Sequence, residues 1–386
     1  MKLIGFNTYI LINEASEKFK MNLPKEVTDL HKLFKENKFK LYVVGGAVRD
    51  ALLGKKPKDY DVATDATPQQ IEKMIEGKYK IIDGGKSKDL GVTILIINGE
   101  PFEVATFRED LSKGRRPDTV KFSTIETDVK RRDLTMNALF YDIDKSEIVD
   151  LVGGVADINN NKICTVGDAK SRFDEDSLRK LRAIRFAGVT GSKLDINISK
   201  ALKQDNSLSG TSAERIRDEF KKSIEKAKDT TYILGLINKY GFFDKIFPGY
   251  KIDINFKNTN NWILQLAQLI KENDNTIIDK LFKLKYTADE TRDIIFLKEF
   301  LQLSPETVLN IYKKYIIANK GANKISEYDL IQFAKWNDMN LKLVKAFFKF
   351  KPTVNGNDII KKYNLSGKEI GNKIIELEAA NFKELF

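Results

Sequence analysis

Apolar residues along this chain follow two different periods, and the change between them divides it. Between residues 41 and 150 the apolar runs are short and alternate with helical patterns. Leu41–Val44, Tyr79–Ile82, Val92–Ile97, Phe102–Phe107, Thr119–Phe122 and Ala138–Ile143 all read as strands, rich in β-branched and aromatic residues. Asn98-Gly99 between two of them predicts a tight hairpin. Thr67-Pro68-Gln69-Gln70 predicts a helix start with a capping box, ended at Gly77. From Asp174 the period is helical: Leu178, Leu181 and Ile184 form an apolar face, and Asp176, Arg179, Arg182 and Arg185 form a polar stripe at the same spacing. Thr211–Glu214 predicts a capping box opening a basic helix, and Ser366–Glu369 another before the last helix. That last helix start, with Lys368, is a candidate phosphate holder. Beyond about 231 strand signals vanish. Trp262–Lys271, Ile277–Leu284, Asp293–Leu303, Pro305–Tyr315, Tyr328–Trp336 and Leu341–Phe350 read as amphipathic helices whose aromatics belong mostly to a core. Residues 1–40 read as an extension with a helix over Pro24–Asn37. No internal repeat or long low-complexity tract is evident.

Composition narrows the function classes. The chain has 386 residues, 42% of them hydrophobic, enough for about two to four domains. Its net charge of +11 has two readings, a polyanionic partner such as nucleic acid or a general lysine-rich bias. A single cysteine, Cys164, excludes an internal disulfide and points to the cytoplasm. A single histidine, His31, excludes multi-histidine metal sites and His-Asp phosphohydrolase chemistry, and its helical context reads as structural. No apolar run is long enough for a membrane span, and the N-terminus does not read as a signal peptide.

Candidate chemistry concentrates in Leu41–Thr64. An apolar strand runs into Gly45-Gly46, then a short helix with Arg49, then Asp59-Tyr60-Asp61. Glycines let backbone N–H groups approach phosphates. If Asp59–Asp61 is extended, its two carboxylates share a face and suit a hard cation such as Mg²⁺. Glu103, opposite the apolar positions Phe102 and Val104, is a candidate for the same surface. Arg49 and Arg132 are candidates for neutralising phosphate charge. The arginine stripe reads either as a solvated face or as a set of donors and acceptors for a base edge.

At this point the motifs resemble a known family. GGAVRDALLG followed by DYD resembles the first motif of the class II tRNA nucleotidyltransferases, the CCA-adding enzymes and their bacterial poly(A) polymerase relatives. RRDLTMNAL (Arg131–Leu139) resembles the second, which implies ribose discrimination and triphosphate support by residues including Arg132 and Asn137. DLVGGVADI (Asp150–Ile158) resembles the third, a hinge. EDSLRKLRAIRF (Glu175–Phe186) resembles the fourth, and by that likeness Asp176 and Arg179 read the base, with Arg182 and Arg185 on the same face. SAERIRDEF (Ser212–Phe220) resembles the fifth, and FEVATFRED (Phe102–Asp110) the segment with the third carboxylate.

The resemblance implies an α+β fold: a polymerase-β-like nucleotidyltransferase head with a mixed sheet and helices over 41–150, then an all-α neck over 151–230 that recognises the base. A helical body and tail over 231–386 would bind tRNA. It implies template-independent addition of C, C and A to the 3′ end of tRNA from CTP and ATP, with Asp59, Asp61 and Glu103 catalytic and Asp59 and Asp61 holding Mg²⁺. Gly45, Gly46, Arg49, Arg132, Asn137, Asp176, Arg179, Arg182 and Arg185 would bind nucleotide. No membrane and no obligate protein partner is implied.

Within the family, the stretch before Glu103 and the C-terminal VNGNDIIKKYNLSGKEIG resemble the CCA-adding side, although Leu365-Ser366 stands where a Pro-Gly pair is common. Only EDLSKG separates Arg108 from Arg115-Arg116-Pro117. A shortened loop there marks enzymes that add only the two Cs, so CC-only addition is an alternative. Poly(A) polymerase is another. A non-catalytic RNA-binding protein on a retained fold is a third, against which the intact carboxylate pair argues.

Overall fold

The structure, a computed structural model, describes residues 19–82, 86–111, 120–271 and 276–386. It divides into two compact units at Thr211/Ser212.

The first unit is built on a mixed sheet of seven strands among the described residues, in the order β3-β4-β5-β2-β1-β8-β9. These are β1 (Leu41–Val44), β2 (Asp61–Thr64), β3 (Lys80–Ile82), β4 (Val92–Ile97), β5 (Glu100–Thr106), β8 (Phe140–Asp142) and β9 (Glu147–Val149). The β2–β5 pair is parallel and the other neighbours are antiparallel. Helix α1 (Lys25–Glu36) packs on β1 and buries Val27, Leu30, Leu33 and Phe34. Helix α2 (Gly46–Leu52) follows β1 directly, α3 (Pro68–Ile75) begins with the predicted box, Thr67 and Gln70 bonding reciprocally, and the short α4 (Lys86–Asp89) precedes β4. The Asn98-Gly99 hairpin forms with both residues at positive φ, as a two-residue turn requires. On one sheet face Tyr42, Val44, Phe107, Phe140 and Val129 make a core in which the rings of Tyr42, Phe107 and Phe140 lie about 6 Å apart.

Several predicted elements shift. The charged stretch after Phe107 is not all loop: β6 (Arg108–Asp110) pairs antiparallel with β7 (Val120–Phe122). The segment of that loop whose length bears on CC-only addition, 112–119, lies outside the described residues. The helix expected from Asp174 is two helices, α7 (Ala169–Glu175) and α8 (Leu178–Thr190). The break is at Asp176, which is extended (φ −150°, ψ 105°), so Asp174 and Glu175 close one helix rather than opening the other. Capping explains it: Asp168 caps α7 through the Ser171 N–H, while the Ser177 hydroxyl bonds the Ser209 carbonyl outside any helix. Between sheet and break lie α5 (Ile125–Lys130), a 3₁₀ turn (Thr135–Asn137) and α6 (Gly154–Asn159). At Gly154 even a methyl would fall 2.3 Å from the Thr135 carbonyl oxygen, so only glycine lets α6 sit on that turn.

The second unit is helical. Its only β-type pairing among the described residues is an isolated bridge, Ile252 to Ile270. The predicted helices are present with shifted ends; that over Ala288–Phe300 starts five residues early because Thr287 and Glu290 form a capping box. Aromatics form the core: Phe347 packs edge-on against Phe300 and Tyr315, and Phe350 against Phe382. Two predicted boxes are absent. Ser212, not Thr211, stands at the N-cap position of Ala213–Glu225, without a side-chain cap bond, while the Thr211 hydroxyl pairs with Ser177. Gly367, at φ 54°, caps the final helix.

Candidate functional site

The candidate residues from Gly45 to Arg185 all lie in the first unit, while Lys368, at the start of the final helix, lies in the second. Strand β2 starts at Asp61, so Asp59 and Tyr60 precede it and strand alternation does not align the two aspartates. They nevertheless line one open cleft of about 750 Å³ together with Glu103, Lys56 and Lys58. The sheet register explains why Glu103 joins them. Val62 pairs with Val104 in parallel, both fully buried, so Asp61 and Glu103 leave side by side on the opposite face. All three carboxylates are exposed. Partial desolvation and the charge of Asp59 hold the Asp61 carboxyl above the usual range, with Arg132 pulling the other way. Desolvation and Asp61 likewise push Glu103 up. Among the described residues no three His, Cys, Asp or Glu side chains close into a metal cage. The donor set fits a hard divalent cation that completes its shell with substrate oxygens: exposed carboxylates that repel one another, on one wall.

The glycine turn adjoins this wall, because Val44 pairs with Asp61 and Gly45 follows it. Gly45 needs positive φ (66°), and its N–H bonds the Leu139 carbonyl. A methyl on it would point at the Asn137 carbonyl (3.6 Å) and the Arg132 guanidinium (3.8 Å), which places these residues at the turn.

From there the arginines form a continuous bank. Arg49 donates to Asn137 Oδ1 (2.6 Å) and to Asp50, and stacks over Phe186 (5.0 Å). Arg132 donates twice to Asp128 Oδ2 (3.1 and 3.0 Å) and lies over Phe140 (4.6 Å). Arg182 holds Asp133 through Nε and Nη2, both at 2.7 Å. Arg179 donates to Glu175 (2.6 Å) and to the Arg131 carbonyl (2.9 Å), tying α8 to the segment that carries Arg132. Arg185 is buried over Phe186 at 4.1 Å. The stripe of Arg179, Arg182 and Arg185 is therefore real on α8, while Asp176 stands in the break before it, accepting from the Leu178 N–H.

Sequence reasoning missed the residues that hold this bank. Asp128 is 1% exposed and takes Arg131 and Arg132 together. Burial pushes its carboxyl up, but the two guanidiniums outweigh that and hold it below the usual range. Asp133 is held low in the same way by Arg182. Asp128, on α5, stands three and four residues before partners at and just past the end of that helix, a spacing legible in the sequence. Phe186, with Arg49, Arg182 and Arg185 around its ring, carries no such local signal.

Comparison with known proteins places the chain in a family. Residues 41–164 match the family model described as the poly A polymerase head domain. The chain is 37% identical to the CCA-adding enzyme of Bacillus pumilus over 304 residues, covering 77% of this chain and 72% of that one. It is 30% identical to the CCA-adding enzyme of Ligilactobacillus salivarius, covering 96% and 93%. The structure superposes on the crystal structure of the Bacillus stearothermophilus CCA-adding enzyme in complex with CTP, with a TM-score of 0.71 at 25% identity over 94% of each chain. The chain belongs to the family of class II tRNA nucleotidyltransferases, the CCA-adding enzymes and their bacterial poly(A) polymerase relatives.

Proposed function

We propose that this protein adds C, C and A to the 3′ end of tRNA, using CTP and ATP and no template. The observation that carries the reading is the meeting, in one unit, of a carboxylate wall, a glycine turn and an arginine bank. The RNA 3′-hydroxyl attacks the α-phosphate of the bound nucleotide, and pyrophosphate leaves. Nucleotidyltransferases of this family use divalent metals. Asp59 and Asp61, with Glu103 beside them, would hold Mg²⁺, and the charge it would supply there is that of a two-metal site, favouring the attacking hydroxyl and the leaving pyrophosphate. Gly45 and Gly46 leave room for the triphosphate, and Arg49, Arg132 and Asn137 orient it. Asp176 and Arg179 offer an acceptor and donors to the base edge, with Arg182 and Arg185 completing the same face. Preorganisation supports that role, since each arginine is already held by protein.

In this reading residues 41–150 are the catalytic head, 151–230 the base-reading neck and 231–386 the part that grips tRNA through its backbone. The protein works in the cytoplasm. Among the described residues no helix is long and apolar enough to cross a membrane.

The test is a product-length assay on tRNA ending at the discriminator base, with CTP and ATP together. Three added nucleotides are expected. Products stopping at two would replace the reading with CC-only addition, which the short Arg108–Pro117 stretch favours, and long A-tails would replace it with poly(A) synthesis.

A further inference from the structure

The carboxylate wall has a second edge, formed by residues that precede the family motifs. Pro24 and Glu26 line the same cleft as Asp59, Asp61 and Glu103. This short segment is bonded to both elements that carry the carboxylates. The Tyr60 hydroxyl, between the two aspartates, donates to the Asn22 carbonyl at 3.1 Å. The Asn98 side chain, at the hairpin leading into the strand of Glu103, donates to Glu26 Oε1 at 2.7 Å. The segment is itself anchored. Met21 is buried and its N–H donates to the Tyr141 hydroxyl, while Phe19 meets the Tyr141 ring edge-on and α1 packs on β1.

The physical need for such a device is plain. Asp59 and Tyr60 belong to no strand, so sheet hydrogen bonds do not fix Asp59 relative to Glu103. The three carboxylates repel one another, which favours their spreading apart whenever no cation is bound. A contact outside the sheet must resist that spreading if the donors are to stay in place.

We propose that Met21–Glu26 is a strap that holds the Asp59–Asp61 turn and the β4–β5 hairpin at a fixed separation, with Tyr60 and Glu26 as positioning residues for divalent-cation binding. The proposal rests on the reading that these carboxylates hold the cation.

The test uses the full chain with CTP present and Mn²⁺ as the probe, its binding followed by electron paramagnetic resonance and its folding by thermal melting. Tyr60→Phe and Glu26→Ala should each weaken Mn²⁺ binding by about three- to tenfold, the effect of losing one hydrogen bond. The double variant should multiply the two effects. Glu26→Gln keeps the acceptor for Asn98 and should restore binding. A lowered melting temperature with unchanged Mn²⁺ binding would make the contacts merely structural and overturn the strap. Glu26→Gln binding as weakly as Glu26→Ala would also overturn it, since the charge of Glu26 and not its hydrogen bond would then matter. Asp59→Ala is the control. If it abolishes binding while the strap variants do not weaken it, the strap alone fails; if it leaves binding intact, the cation reading fails and takes the strap with it.

Discussion

The two banks of the candidate site are built on opposite principles. On the arginine bank the structure supplies carboxylate partners: Asp50 for Arg49, Asp128 for Arg131 and Arg132, Asp133 for Arg182, Glu175 for Arg179. On the carboxylate bank Asp59, Asp61 and Glu103 stand exposed beside one another, and partial desolvation, with like charge added to it, raises Asp61 and Glu103. The first bank is held within the protein; in the proposed reading the second gains from an added cation. Groups that read a base must be rigid before the base arrives, because orienting them afterwards would cost the discrimination. Groups that hold a metal with substrate phosphates need open positions instead.

The sharpest way to break this contrast is to remove the open bank. Asp59→Ala combined with Asp61→Ala should reduce nucleotide incorporation by at least about a thousandfold, since several kcal/mol of transition-state stabilisation would be lost. The melting temperature should hold or rise, because mutual repulsion is relieved. Retained incorporation would show that the exposed carboxylates are not the catalytic ones.

Removing a buried partner on the other bank should do the reverse, costing stability. Asp128→Asn leaves two guanidiniums without their carboxylate at a nearly inaccessible position, an expected loss of about 3 kcal/mol. Denaturant unfolding measures it directly. The same group predicts a pH dependence. Its folded pKa lies below the ordinary value of 3.8, so its stabilisation is complete above that value and is lost as pH falls through the folded one. The native protein should therefore lose stability in acid, and Asp128→Asn should flatten that limb. An unchanged acid limb would mean that other carboxylates carry it.

The sequence made one bank easier to see than the other. Gly45, Gly46, Asp59 and Asp61 lie within a single short stretch whose order and residue types are already informative. Glu103 was reachable because strand alternation placed it opposite Phe102 and Val104, and the parallel β2–β5 register brought it to Asp61. The arginine stripe was visible as a spacing, but a spacing on one helix does not say which side faces a ligand. What decides that is contact between distant segments, such as Arg182 with Asp133 and Arg179 with the Arg131 carbonyl, and no local pattern encodes those. The break at Asp176 was missed for a related reason. Periodicity continued across it, while the contacts that stop the helix come from Ser209 and Thr211, more than thirty residues on.

The arginine bank itself can be probed more gently. Arg179→Ala removes donors to Glu175 and to the Arg131 carbonyl, and with them, in the proposed reading, a group offered to the base. The expected loss is about ten- to a hundredfold in kcat/KM for both CTP and ATP, the range for a charged hydrogen bond. Binding of tRNA, measured separately, should change much less. An equal fall in tRNA affinity would move Arg179 from base reading to general electrostatics.

The smallest expected effect tests the junction where the two banks meet. Gly45 has φ 66°, a region costly for any residue with a Cβ, so Gly45→Ala should cost roughly 1 kcal/mol of stability. It should not cost much more, because the new methyl would lie 3.6 Å from the Asn137 carbonyl and 3.8 Å from Arg132, ordinary contact distances. In the proposed reading that methyl would crowd the turn against which a phosphate sits. KM for both nucleotides should therefore rise about several-fold, beyond what the modest stability loss explains. Steady-state kinetics beside a denaturation curve separates the two. If stability falls as expected while KM stays put, the turn only joins strand to helix, and the phosphate must be held by the arginines alone.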